Sequence, residues 1–297
     1  MNQQTRGAGE MALAMTISGT IGWFVVISGQ PVLDVVFWRC LFGAVTLLAF
    51  CGLTGLLRRD ALSWPQLLLG AVGGVAVVLN WLLLFGAFSR ASISIATTVY
   101  NTQPFMLAAL GALLFRERPT LSELLWLAVA FAGVLLLLVQ ADPGAGLTGR
   151  SYLTGIIMAL GAAFFYALAA IVAKRLTGVT PVLIVLIQVL VGALMLAPFA
   201  HLAALPSGAS TWTVLATLGV VHTGVVFILL YGAIQKLPTH LTGALSFIYP
   251  LVAIVVDALV FGHRLAPLQL VGAAAILLGA AMKMRISRPK LEGARGK

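Results

Sequence analysis

Ten stretches of this chain stay apolar for about 20 residues at a time, the length of helix that crosses the hydrocarbon core of a bilayer. They run over 11–29, 33–53, 66–88, 92–115, 120–139, 152–173, 180–200, 212–235, 240–261 and 266–284. Short breaks with turn chemistry separate them, such as Gln30-Pro31, Asp142-Pro143-Gly144 and Pro206-Ser207-Gly208. The chain is 61% hydrophobic and 9% charged, a balance that excludes a soluble domain. Cys40 and Cys51 fall on one predicted helix, about 16 Å apart, and are read as apolar fillers rather than a disulfide. The first apolar stretch lacks a small-residue cleavage site at its far end, so it is read as a span and not as a cleaved signal.

The chain also repeats itself. A shift of 146 residues lays Leu84-Phe85-Gly86-Ala87 on Leu230-Tyr231-Gly232-Ala233, and without a gap Pro104 on Pro250 and Gly133 on Gly279. Eleven identities fall within residues 84–133 in this register. The matched Pro and Gly weigh more than the matched Leu. Five spans per half mean that the second half enters from the opposite face. The expected fold is therefore all-α and integral to the membrane. Ten helices form two inverted five-helix repeats, residues 1–146 and 147–297, around a central cavity. Inverted repeats are a transporter signature, with the site near the midplane between the halves.

The net charge of +10 first suggests nucleic acid, but its placement argues for topology instead. With the N-terminus inside, fourteen Lys and Arg collect on the inner face, six of them in the tail from Lys283 to Lys297. Arg90, Arg150 and Arg264 are the outer three. The positive-inside rule then puts both termini in the cytoplasm, and the expected location is a bacterial inner membrane.

Polar side chains are costly in hydrocarbon and tend to face the bundle interior or a wet cavity. Thr97, Tyr100, Asn101 and Pro104 follow i, i+3, i+4, i+7 spacing and share one face of the fourth span. Thr242, Ser246, Tyr249 and Pro250 repeat the stripe on the ninth. A proline at mid-depth removes a backbone hydrogen bond and bends the helix, and the freed carbonyl is tolerated where it lines a cavity. A packing kink with ordinary interhelical hydrogen bonds is the plainer alternative. Asn80 and Trp81 on the third span, His222 on the eighth, and Thr20, Trp23 and Tyr166 on the first and sixth complete a candidate chamber with aromatic walls. Trp23 and Tyr166 could equally be interfacial.

Three charged or titratable groups are candidates for gating or coupling: Arg39, His222 and Asp257. A charge within a span costs about 2.5–3.5 kcal/mol on insertion scales. Arg39 is expected either to pair with nearby Asp34 or to gate the outer mouth. Asp257 is expected to pair with Arg264 or to carry protons. Gly272 and Gly279 share a helix face that serves either packing within the fold or a dimer surface. No motif for covalent or metal chemistry and no ATP-site sequence appears, so neither an enzyme nor a cofactor is expected.

The segment Ala112-Leu113-Leu114-Phe115-Arg116-Glu117-Arg118-Pro119-Thr120, followed by Gly133, resembles the end of the first repeat in EamA-type members of the drug/metabolite transporter superfamily. Phe37-Trp38-Arg39 resembles that family's second-span arginine motif, and Pro250 through Phe261, with Gln269 and Gly272, its second repeat. Within the superfamily the chain is similar in character to the bacterial YddG-type amino-acid exporters. The resemblance implies a ten-helix basket that exports small metabolites, with the two repeats rocking about a path lined by the fourth and ninth spans. His263 stands where the second repeat often carries glutamate, and Trp126 where Gly272 would predict a small residue. The partners so implied are a small-molecule substrate and the bilayer, for a monomer or homodimer that takes no nucleic acid. Amino acids, aromatic ones included, suit the nearly uncharged chamber. Lipophilic cations are the alternative, though Glu10 sits at the membrane edge rather than inside a span.

Overall fold

The computed structural model describes residues 3–57, 62–103, 105–106, 109–110, 113, 121–139, 149–176, 178–237, 245, 248–263 and 265–286. Among the described residues every regular element is a helix. The first half holds α1 (Gln3–Gly19), α2 (Ile21–Ile27), α3 (Val32–Leu53), α4 (Trp64–Ala91), α5 (Ile93–Tyr100) and α6 (Leu121–Val139). The second holds α7 (Gly149–Arg175), α8 (Pro181–Leu196), α9 (Ala209–Gly219), a π-helical turn (Val220–Val225), α10 (Val226–Lys236), α11 (Ile248–Val260) and α12 (Pro267–Ile286). Five stretches among them are long and apolar enough to cross a bilayer: Gln3–Ile27, Val32–Leu53, Trp64–Ala91, Arg150–Ala173 and Ala209–Leu230. The protein is an all-helical membrane protein built from two repeats.

The spans begin and break where local chemistry dictates. The Ser63 amide donates to Gln66 Oε1 at 2.8 Å, and Pro65 fits the first turn of α4, where its missing N–H costs nothing. The first span starts at Gln3, earlier than its apolar stretch, because Arg6 and Glu10 pair one turn apart at 3.0 Å. It breaks at Thr20, which separates α1 from α2. The fourth span is interrupted too. α5 ends at Tyr100, residues 101 and 102 form a turn, and helix resumes at Gln103. Pro104 has no N–H to give the Tyr100 carbonyl, so a break is due there.

The packing between the halves obeys an internal two-fold. Exchanging each span for its counterpart five places on turns one set of contacts into the other. Span three packs on span six through α4 and α7, and span one on span eight through α1 and α10. Span three meets span seven, and span two meets span eight. Span four meets span six, and span one meets span nine. The pairs α3–α8, α5–α11 and α6–α12 map onto themselves. Two of these seams need glycine. A Cβ on Gly133 of α6 would come within 2.6 Å of the Gly272 carbonyl oxygen of α12, so Gly272 serves a contact inside the fold. A Cβ on Gly219 would overlap that of Phe42 on α3 and lie 3.0 Å from the Arg39 carbonyl oxygen.

Candidate functional site

Where spans two, three, four, eight and nine converge, one cation sits among aromatic rings. Arg39 projects from α3 and is 3% exposed. Its guanidinium carbon lies 3.9 Å from the centre of the Trp81 ring and 5.4 Å from that of Phe85, both on α4. Such stacking stabilises a desolvated cation by about 2 kcal/mol. Its Nε donates to Thr223 Oγ1 at 2.8 Å, and Thr223 in turn donates to the Leu218 carbonyl at 3.1 Å. The Tyr100 and Tyr249 hydroxyls lie within electrostatic range of the guanidinium. The expected pair with Asp34 does not form. Five residues along a helix turn the side chain by about 140°, so the two point to different faces. Asp34 instead accepts from the His201 amide at 3.0 Å and meets His201 Nδ1 at 2.9 Å. Nor is Arg39 at an exposed mouth.

Thr223 and His222 owe their positions to the π turn in span eight. The extra residue per turn is stabilised by contact with α3: Gly219 and Gly224 let Phe42 and Thr46 approach, while Thr223 packs on Gly43. π-bulges recur at functional sites for this reason, since they re-aim side chains. His222 Nε2 lies 3.0 Å from Thr20 Oγ1 and Nδ1 lies 3.3 Å from the Thr217 carbonyl. Its ring stands 4.8 Å from that of Phe24. Thr20 sits at the break of span one, so two interrupted helices meet through this one bond.

Asn80 joins three spans. Its Nδ2 donates to the Tyr100 hydroxyl at 3.2 Å and to the Ala162 carbonyl at 2.7 Å. The Tyr166 ring meets Tyr100 edge-on at 5.9 Å between centres. Tyr166 is 42% exposed. The structure thus brings together Thr20, Asn80, Trp81, Tyr100, Tyr166, His222 and Tyr249 of the residues singled out by sequence. Thr97 is buried next to Tyr249. Asn101 donates back to the Thr97 carbonyl of its own helix at 2.7 Å and is spent there. Trp23 packs on Phe24 at 5.3 Å, one step outside the cluster. Pro250 is buried in α11. Pro104, Ser246 and Thr242 lie outside the described residues.

Asp257 is fully buried, and Arg264, its expected partner, lies outside the described residues. Its Oδ2 accepts from the Ser94 amide at 2.8 Å and its Oδ1 meets His263 Nδ1 at 3.0 Å. A carboxylate of span nine thereby caps the N-terminus of α5, where it satisfies an orphan donor and complements the helix dipole. Ser94 and His201 were not singled out by sequence. The run Ser92-Ile93-Ser94 at a helix start was the available signal for the first, since Ser92 also accepts from the Ile95 amide at 3.3 Å. At the opposite end, Lys236 Nζ holds Glu10 at 2.8 and 2.6 Å and Arg6 adds a bond at 3.0 Å. Each of these three carboxylates links an element of the first half to one of the second.

A family profile described as the EamA-like transporter family matches residues 6–139 and again 153–285. An uncharacterized transporter, YxxF, of Bacillus subtilis (strain 168) is 30% identical over 289 residues, covering 95% of this chain and 90% of the relative. A protein of Salmonella typhimurium (strain LT2) named a probable amino-acid metabolite efflux pump is 29% identical over 200 residues, covering 62% of this chain and 65% of the relative. One solved crystal structure superposes with a TM-score of 0.67 at 21% identity, covering 97% of this chain and 99% of that one, a likeness of fold. With a doubled profile match, an apolar helical fold and a two-fold packing plan, this chain belongs to the EamA-like transporter family of multi-pass membrane proteins.

Proposed function

We propose that this transporter exports amino acids, aromatic members included, across a bacterial inner membrane by alternating access of its two halves, without ATP. The carrying observation is the cluster around Tyr100: aromatic walls from Trp81, Tyr166 and Tyr249, hydrogen-bonding groups from Asn80, Thr223 and His222, and a single cation. Such a surface suits a small zwitterion with an apolar side chain, and a Salmonella relative carries an amino-acid efflux name. Both termini face the cytoplasm in this reading, as the Lys and Arg asymmetry supports. Lipophilic cations fit less well, because Glu10, the acid nearest the inner end of the path, is held by Lys236 and Arg6. The test is uptake of a labelled amino-acid panel into proteoliposomes, with and without a pH gradient. Selective uptake indifferent to the gradient identifies a facilitator or exchanger. Gradient-driven uptake identifies proton coupling, with His222 and Asp257 the residues to exchange. No uptake of any amino acid overturns the reading.

A further inference from the structure

A buried cation ordinarily comes with an anion. Arg39 has none among the described residues. The chain has eight carboxylates. Asp34 is taken by His201, Asp257 by Ser94 and His263, and Glu10 by Lys236 and Arg6. In the sequence, Asp60, Glu117, Asp142 and Glu292 lie between spans or in the tail, and Glu123 at the start of span five. The Arg39 Nη1 atom is buried and makes no hydrogen bond among the described residues. One face of the guanidinium is covered by Trp81, and Nε is used by Thr223. A ligand must therefore approach in the guanidinium plane, at the Nη edge, the geometry in which arginine grips a planar oxyanion. The neighbouring groups are also set to donate. The Tyr100 hydroxyl accepts from Asn80 and retains its proton. From this surplus of donors around an unpaired cation we infer that Arg39 is the carboxylate receptor of the transport path, and that the substrate supplies the missing anion.

The inference rests on the amino-acid reading and sharpens it. Substrates are defined by the carboxylate, so deaminated acids are accepted and decarboxylated amines are refused. The experiment uses the full-length protein in proteoliposomes. Uptake of labelled phenylalanine is measured against competing 3-phenylpropionate and 2-phenylethylamine, then repeated with Arg39→Met and Arg39→Lys. The acid competes and the amine does not. Arg39→Met raises the half-saturating phenylalanine concentration about tenfold or more, the scale of a lost charge-assisted hydrogen bond, and Arg39→Lys recovers part of it. Arg39→Met also melts no lower than the unmodified protein, because it removes an unpaired buried charge. The analogue comparison needs no variant and decides the matter even if Arg39→Met does not fold. An amine that competes as well as the acid, or an Arg39→Met protein with unchanged half-saturation, overturns the receptor while leaving amino-acid export in place. A protein that moves no amino acid at all sinks both.

Discussion

Asn80 stabilises the centre of the bundle with one amide nitrogen, because its two protons reach partners on two other spans. Asn80→Ala leaves the buried Ala162 carbonyl without that donor and releases the Tyr100 ring. We expect a loss of about 1–3 kcal/mol, read as a lower melting temperature in detergent, together with weaker uptake. His222 is satisfied as a neutral ring when Nδ1–H donates to Thr217 and Nε2 accepts from Thr20. The Thr20 hydroxyl also lies 2.8 Å from the Ile17 carbonyl. A proton on Nε2 therefore costs no partner, since Thr20 can turn its own proton to Ile17 and accept instead. His222→Gln, which can both donate and accept, should keep the fold and abolish only gradient-driven uptake. His222→Leu should lower stability as well, by about 1 kcal/mol or more. Thermal melts of the two variants separate the roles. The reading of the sequence grouped Arg39, His222 and Asp257 by their charge, but each has a partner that lies 163 to 202 residues away. No local pattern carries that information.

At the scale of the element, interruptions set the site. Span one breaks at Thr20, span four at residues 101 and 102, and span eight winds through a π turn. Each interruption presents polar groups at depth, which hydrocarbon forbids and protein interior allows. The break in span four was legible from Pro104. The π turn was not, because it depends on α3 filling the grooves beside Gly219 and Gly224. Gly219→Leu forces a side chain into Phe42, and overpacking of this kind costs about 1–3 kcal/mol. We expect it to lower the melting temperature and to displace Thr223 from Arg39. Gly9 is the control. Nothing lies within 4 Å of a Cβ placed there, so Gly9→Ala should leave stability unchanged or raise it by about 0.5–1 kcal/mol, the gain in helix propensity. Both are read by thermal melts under one detergent.

At the scale of the molecule, three carboxylate contacts join the halves at opposite ends. Asp34 with His201 and Asp257 with Ser94 lie toward the face that the charge count places outside. Glu10 with Lys236 lies toward the inside. In the proposed alternating access one end opens while the other stays closed, and these contacts would then bias the equilibrium. Asp257→Asn should favour outward opening and Glu10→Gln inward opening. For the buried Asp257 a hydrogen bond to a charged group is worth about 1.5–3 kcal/mol, enough for a shift of about tenfold or more in the ratio of states, whereas the screened Glu10 pair shifts it less. Introducing Ser94→Cys provides the probe, because Cys40 and Cys51 are both buried. An impermeant maleimide added outside should label Cys at position 94 faster in the Asp257→Asn background and slower in the Glu10→Gln background. Equal labelling in all three would remove these contacts from the gating scheme.

The membrane-spanning helical class and the two-repeat plan were legible in the chain alone. These follow from the length of apolar runs and the helical period, which are local and survive without tertiary knowledge. Which polar groups meet was legible only in the packed helices. Asp34 turned away from Arg39 to His201, Asp257 reached Ser94, and Gly272 went to the α6 seam. A helix displays side chains around its whole circumference, and hydrocarbon tolerates a polar one wherever a partner is near. The choice of partner is therefore made by the packing between halves, where the low dielectric makes each satisfied bond count.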